Sequence, residues 1–269
     1  MPRLQRCTAL KFRHATSLRG WLLLCLLLAS GCAAAQFRPV ISIIIDDLGL
    51  DRASGQRVVD LPVPVACAFL PHAPHTRELA MRAHAVHKEV ILHLPMATVD
   101  HRPLDPGGVT LDMTQAQFLR TLQEDLAAVP HVSGINNHMG SLLTRHPGHM
   151  MWLMHEMRRH DRLFFVDSRT TVDTVARRVA DEHGVPSVDR DVFLDSDPDI
   201  EAVRFQFRRL LALARRNGSA TAIGHPYAST LRVLEEELPA LRDVRVVPVA
   251  DVIQVQRGRE SQWQQSWYR

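Results

Sequence analysis

The segment VISIIIDDLG at residues 40–49 constrains the fold more than any other stretch of this chain. Its first six residues hold five apolar ones, all β-branched, around a single Ser42. That run is too short to cross a membrane. It suits a strand buried on both faces, as in a parallel sheet covered by helices. The run ends on two adjacent carboxylates, Asp46 and Asp47, before Leu48 and the turn-permitting Gly49. Side chains alternate along a strand, so neighbouring aspartates cannot share one role there. One can point to a metal while the other stays free as a base. The other reading is a strand-end turn with solvated aspartates, and the rest of the chain decides between them.

Residues 1–35 read as a secretory signal. Arg3, Arg6, Lys11, Arg13 and Arg19 form a basic start without acids, an apolar core follows at 21–29, and Ala33-Ala34-Ala35 offers a cleavage site before Gln36. The apolar core is too short for a stable transmembrane helix. Leu28-Ala29-Ser30-Gly31-Cys32 also resembles a lipoprotein box, slipped by one residue, so plain cleavage and a lipid anchor at Cys32 both stay open. Either way the domain is expected to be exported, to a bacterial periplasm or beyond. Taking the five basic residues from the chain's 32 leaves 27 against 29 acidic groups, about −2 in place of +3. No basic footprint for nucleic acid or anionic lipid survives. Cys67 is then the one cysteine of the domain, which excludes an intrachain disulfide and a Cys-rich zinc site. Inside the apolar run 63–70 it reads as a buried small hydrophobe.

The mature chain is long enough for one domain with a large core, expected over residues 36–253, with a polar, Gln-rich tail at 254–269. Strand patterns at 65–70, 89–94, 132–136, 163–166, 185–188, 220–223 and 244–249 follow the first strand. Helical patterns fall between them, at 52–61, 76–87, 114–129, 147–160, 171–183, 196–216 and 229–241. Thr114-x-x-Gln117 marks a capping box. The Met-rich stripe Met150, Leu153, Met154 and Met157 reads as core filling. Strands alternating with helices predict an α/β fold, a distorted (β/α) barrel of seven to eight units, closed or incomplete. No glycine-rich phosphate loop follows the first strand, which removes the main argument for a nucleotide-binding sheet.

Polar residues cluster where these strands end. Asp46/Asp47, His72, His93, Asn137/His138, Asp167/Arg169, Asp189/Asp191 and His225 all lie at or just past strand ends. In parallel α/β folds those ends share one face, where sites are built. A catalytic zinc usually takes three ligands of His and Asp/Glu type and leaves one position for water. Asp47, His93 and His138, from three different strand ends, meet that requirement. A metal held there lowers the pKa of water and polarises a carbonyl. Asp46 is then the candidate general base, and His225 the candidate acid for the leaving group. Asn137 joins them as a neighbouring or substrate-contacting residue. Asp167 is expected to orient a histidine, and Arg169 to anchor an anionic or hydroxylated substrate. The alternatives are a hydrogen-bonded turn at 136–138 for His138 and backbone satisfaction for His225. The remaining histidines read as solvated, with His72 the first exception.

IIIDDLG, EVILHLPM, INNHMGS, FFVDSRT, DRDVFLD and AIGHP, in this order and spacing, resemble the divergent polysaccharide deacetylases, a branch of the NodB-like polysaccharide deacetylase group. The resemblance covers residues 39–253. It implies a distorted (β/α) barrel and a metal-dependent hydrolase ancestry that removes acetyl groups from amino sugars. Asp46 and Asp47 match the group's first motif as base and metal ligand, and His93 matches the first histidine of H-x-x-x-H. Ala97 stands where the second histidine is expected, so His138 is the candidate replacement. R-x-P-x-[YW] is absent, with INNHMGS in its place, and His225 resembles the histidine of the last motif, L-x-x-H. The expectation is therefore an exported hydrolase, N-deacetylase-like, acting with a divalent metal, zinc, on an acetylated polysaccharide or amino sugar. A non-catalytic glycan-binding or cell-envelope protein on a degenerate scaffold is the alternative. A metal-dependent esterase for another acyl group is a third reading.

Overall fold

The computed structural model describes residues 38–160 and 162–267. The expected signal at 1–35, with its cleavage site and Cys32, lies outside the described residues. Parity along the first strand, β1 (Val40–Leu48), sets the two sides of the sheet. Ile41, Ile43 and Ile45 pack in a cluster shared with the helices, while Val40 and Ile44 pack in a second cluster. That second cluster takes side chains from six strands and from only one helix. It is the inside of a curled sheet.

Around β1 the chain alternates as the pattern predicts. Helix α1 (Arg52–Asp60), β2 (Ala66–Phe69), α2 (Thr76–Ala85) and β3 (Val90–Met96) come first. Then come α3 (Gln115–Ala128), β4 (Val132–Met139), α4 (Pro147–Arg159) and β5 (Phe164–Asp167). The second half holds α5 (Ala176–Glu182), β6 (Ser187–Asp189), β7 (Val192–Phe193), α6 (Ile200–Asn217) and β8 (Ser219–Gly224). Helix α7 (Ala228–Glu237), β9 (Arg245–Val246) and α8 (Val249–Trp267) close the chain. The strands lie in the order β6-β5-β4-β3-β2-β1-β8-β7, with β9 added on β1, and every pairing is parallel. This is the expected α/β distorted barrel, open at one seam. Among the described strands β6 and β7 do not pair, and Arg190-Asp191 crosses the gap between them. Arg190 N donates to Asp167 O on one side (3.0 Å) and Asp191 N to Thr221 O on the other (2.8 Å).

Several local expectations hold. Thr114 and Gln117 form the capping box of α3, and the Met-rich stripe of α4 is buried. Cys67 is buried, and burial pushes its thiol up to about 12. Other boundaries move. The helix expected from 171 begins at Ala176, because Thr171 and Thr174 hydroxyls accept from the main chain at Asp173 and Ala176 and hold a turn instead. Strand β7 is too short to show a period and was not anticipated. The polar stretch from 254 continues helix α8, whose Val249, Val252 and Ile253 close the floor of the curled sheet. Glu89 caps that helix, accepting from Val249 N (2.5 Å) and Ala250 N (3.0 Å).

Candidate metal centre

The inward positions of β1 read Val40, Ser42, Ile44 and Asp46. Strict alternation would turn Asp47 out under the helices and Leu48 inward. The structure does neither, because β1 carries one extra residue. Ile45 pairs with Cys67 and Leu48 with Phe69, three steps on β1 against two on β2. Asp47 absorbs the bulge in the left-handed region (φ 57), where aspartate is tolerated better than most residues. Leu48 therefore packs under the helices, and both carboxylates face the interior. The bulge thus corrects the strict alternation assumed for the pair, while the two carboxylates still meet different neighbours. Gly49 (φ 104) completes the turn at a point where a Cβ would lie 2.2 Å from Thr76 Oγ1.

His93 and Asn136 are partners across β3 and β4, and both are buried on the inward face. His93 Nδ1 bonds to Asn136 Oδ1 at 2.7 Å, while Asn136 Nδ2 donates to Asp46 Oδ1 at 2.8 Å. As an amide oxygen only accepts, His93 carries a proton on Nδ1, which leaves Nε2 as the ring atom able to offer a lone pair to a metal. Two residues along β4, His138 sets Nδ1 2.9 Å from Asp47 Oδ1 and 3.0 Å from His93 Nε2. His93 Nε2 is 3.2 Å from Asp47 Oδ1. On its far side His138 Nε2 meets Asp105 Oδ2 at 3.3 Å.

Asp47 Oδ1, His93 Nε2 and His138 Nδ1 therefore make a triangle of potential ligands. Its edges of 2.9–3.2 Å are close to the roughly 3.3–3.5 Å that four-coordinate bonds of about 2.0–2.1 Å require. Asp47 Oδ1 is buried, and no hydrogen bond of proper geometry reaches it. The charges agree with the geometry. Burial works to raise Asp47, but the facing His138 and His93 hold its carboxyl far below the usual range. Burial works to lower His93, but Asp46 and Asp47 outweigh it and push the imidazole up to about 9. The pocket demands a positive charge at this point, and the donor set fits a divalent metal.

Asp46 stands beside the triangle, with Oδ2 3.6 Å from His93 Nε2. Burial raises its pKa against the pull of His93 and His225. Across the cavity, His225 is held by Asp195, which faces it at 3.0 Å from Nδ1 and accepts from its backbone N at 2.6 Å. Thr230 Oγ1 donates to the same carboxylate at 2.7 Å. Burial lowers His225, but the bond to Asp195 more than restores it, so its pKa is raised. Nε2 is left facing the cavity, 3.7 Å from Asp47 Oδ2. The rings of Tyr227 and Phe193 pack on the imidazole and fix its orientation.

Asn137 lines the cavity, although it has the opposite parity to Asn136 and its amide is engaged by the main chain: Nδ2 donates to Met139 O and Oδ1 accepts from Ser168 N. One expected position lies elsewhere. Asp167 touches no histidine. Phe164 and Val166 take the inward positions of β5, so Asp167 faces away and accepts from Arg169 N and Thr174 Oγ1. Arg169 lines the cavity as expected. His72 pairs with the buried Asp125 (2.8 Å), apart from the ligand triangle. The sequence pattern gives no role to Asn136, Asp105 or Asp195, the last of which ends the DRDVFLD stretch. Parity counted back from His138 would have found Asn136. Asp105 and Asp195 stand on loops, where no period points to a partner.

An α/β barrel that brings an Asp-Asp pair and two histidines together at its strand ends defines a protein of the NodB-like deacetylase fold. Residues 43–253 match the family of divergent polysaccharide deacetylases, and the chain belongs to that family. It is similar to the uncharacterized protein YibQ of Escherichia coli, with 39% identity over 213 residues. That match covers 78% of this chain and 66% of the relative, so the chain spans just under two thirds of that protein's length. Among solved structures, an uncharacterized protein of Agrobacterium tumefaciens superposes with a TM-score of 0.75 at 19% identity, covering 79% of this chain and 88% of that one. The peptidoglycan deacetylase PdaC of Bacillus subtilis shares the fold at a TM-score of 0.50 and 12% identity, over 86% of this chain and 98% of that one.

Proposed function

We propose that this protein is an exported hydrolase that removes acetyl groups from an acetylated polysaccharide or amino sugar, with zinc held by Asp47, His93 and His138. The observation that carries this reading is the meeting of those three donor atoms beside the buried Asp46 and opposite the Asp195-held His225. A bound divalent metal supplies a Lewis acid that polarises the acetyl carbonyl and acidifies water. Burial brings Asp46 closer to the working pH, which suits a base that takes the proton of the attacking water. Asn136 keeps Asp46 and His93 in register through its two amide atoms. As the bond from carbonyl carbon to nitrogen breaks, His225 gives its Nε2 proton to the amine, and acetate leaves. Export rests on the basic and apolar layout of residues 1–35. Among the described residues no helix is long and apolar enough to cross a membrane.

The test is metal content together with acetate release from N-acetylated glycans. The protein is expected to hold one zinc per chain, and a His93→Ala, His138→Ala double variant background levels only. Equal substoichiometric metal in both would overturn the ligand set. Glycan binding without acetate release, at full zinc, would move the protein to the glycan-binding reading.

A further inference from the structure

The cavity above the ligand triangle has a volume of about 550 Å³ and two unlike walls. One carries Asp46, His93 and His138. The other, built from the end of β5 and the open seam, carries Ser168, Arg169 and Arg190. Arg190 is half-buried and fixed: Nε donates to Ser168 O (2.6 Å), Nη2 to Arg169 O (2.9 Å), and the guanidinium lies 4.9 Å from the centre of the Phe193 ring. Two of the five N–H groups of a guanidinium are thus used, and the others have no partner among the described residues. The Arg169 guanidinium, beside it, has no hydrogen-bond or ion-pair partner among the described residues. Ser168 is only 5% exposed, yet its Oγ has no hydrogen-bond partner among the described residues.

Several surface arginines of the molecule are ion-paired. Arg52, Arg57, Arg204 and Arg215 each meet a carboxylate within 3.1 Å. No carboxylate comes within ion-pair reach of Arg169 or Arg190 among the described residues. Burial, and then the Arg169 charge, lower the Arg190 pKa against the pull of Asp46 and Asp167, neither of which is within ion-pair reach. A buried hydroxyl without a partner opposes folding, the half-buried Arg190 has guanidinium N–H groups left over, and a planar anion between it and the exposed Arg169 would meet these donors.

We propose that Ser168, Arg169 and Arg190 form a carboxylate subsite, so that the substrate is an acidic amino sugar carrying a carboxylate besides its acetamido group. This rests on the deacetylase reading of the same cavity and narrows it. Guanidinium forks match a carboxylate in two parallel bonds, and the cavity holds both the metal side and the arginine side within one sugar-sized space.

Calorimetry of the zinc-loaded protein with three probes tests the subsite. N-acetylglucosamine is the neutral reference. N-acetylmuramic acid adds a carboxylate on O3, and 2-acetamido-2-deoxyglucuronic acid has one at C6. At least one acidic probe is expected to bind about tenfold or more tightly than the neutral one, and which one does so locates the carboxylate. Arg169→Gln should erase the preference. This side chain braces nothing, and the variant should fold as the parent does. Ser168→Ala should reduce the preference, and Arg190→Lys should weaken it while keeping the charge. Equal binding of acidic and neutral probes, or a preference untouched by Arg169→Gln, would overturn the subsite, as would no binding of any probe. Acetate release is followed in parallel on glycans of both kinds. An arginine-dependent preference without any release would keep the subsite and sink the deacetylase. Release without preference would do the reverse.

Discussion

The two ends of the sheet's interior are built from the same strands and do opposite things. Toward the strand starts, Val40, Ile44, Ala66, Ile91 and Val188 meet Val252 and Ile253 of α8 in a dry floor. Toward the strand ends, Asp46, His93, Asn136 and His138 take the same inward parity and concentrate charge. Strand β1 serves both, with Ile44 and Asp46 two positions apart. Between them and the strand start, Ser42 Oγ donates to Thr221 Oγ1 (3.1 Å), so the polar atoms within the floor form a satisfied pair. Burial of apolar surface stabilises the floor. Burial of charge opposes folding at the mouth, where the raised Asp46 value records the cost and His93 offsets part of it. A chain organised in this way keeps stability and chemistry at separate ends of one layer.

The largest effect that separates the two ends should come from Asp46→Asn. Turnover is expected to fall about 10²–10⁴-fold with the zinc stoichiometry unchanged, since the proposed mechanism makes Asp46 the base and not a ligand. Its melting temperature should not fall, because the variant removes a buried charge. A drop as large as that of a floor variant would break the comparison. Ile44→Ala tests the other end: urea unfolding should show a loss of about 2–5 kcal/mol, with the metal affinity of the folded protein retained. Asn136→Ala lies between, leaving His93 Nδ1 and Asp46 without their shared amide. Zinc affinity or activity should decrease about 10–100-fold, measured by competition with a chelator.

The smallest effect concerns Glu89, under the floor. Burial pushes this carboxyl from its ordinary 4.5 to about 6. Between those values the folded chain keeps a proton that the unfolded chain has released, so the carboxyl's contribution is present at low pH and is lost as pH rises through about 6. The stability of wild type minus that of Glu89→Gln should fall by about 1–2 kcal/mol from about pH 4 to about pH 7 in parallel urea titrations. A flat difference would mean that the helix N-terminus fully compensates the buried charge.

Much of the architecture is legible without coordinates, since each buried β-run and each amphipathic stripe is a local pattern. The strand order with its seam is not, because β6 and β7 are too short to carry a period. The same division runs through the site. His93, His138 and His225 are marked by standing at strand ends. Asn136 is not marked in this way, because a strand end says nothing about facing unless parity is carried through it. For the same reason the sequence alone pairs Asp167 with a histidine, although Val166 before it holds the inward position.

What the order of residues determined is the α/β alternation, the pairing of Asp46 with Asp47, and the histidines that join them. These depend on contacts within one strand or turn. The tertiary structure alone decided that Asp47 turns inward, since its bulge exists only against the register of β2. It also decided that Asn136 joins His93 to Asp46 across 43 and 90 positions of chain, and Asp195 holds His225 across 30. Such pairings depend on which strands become neighbours, and that is set by the closing of the whole sheet.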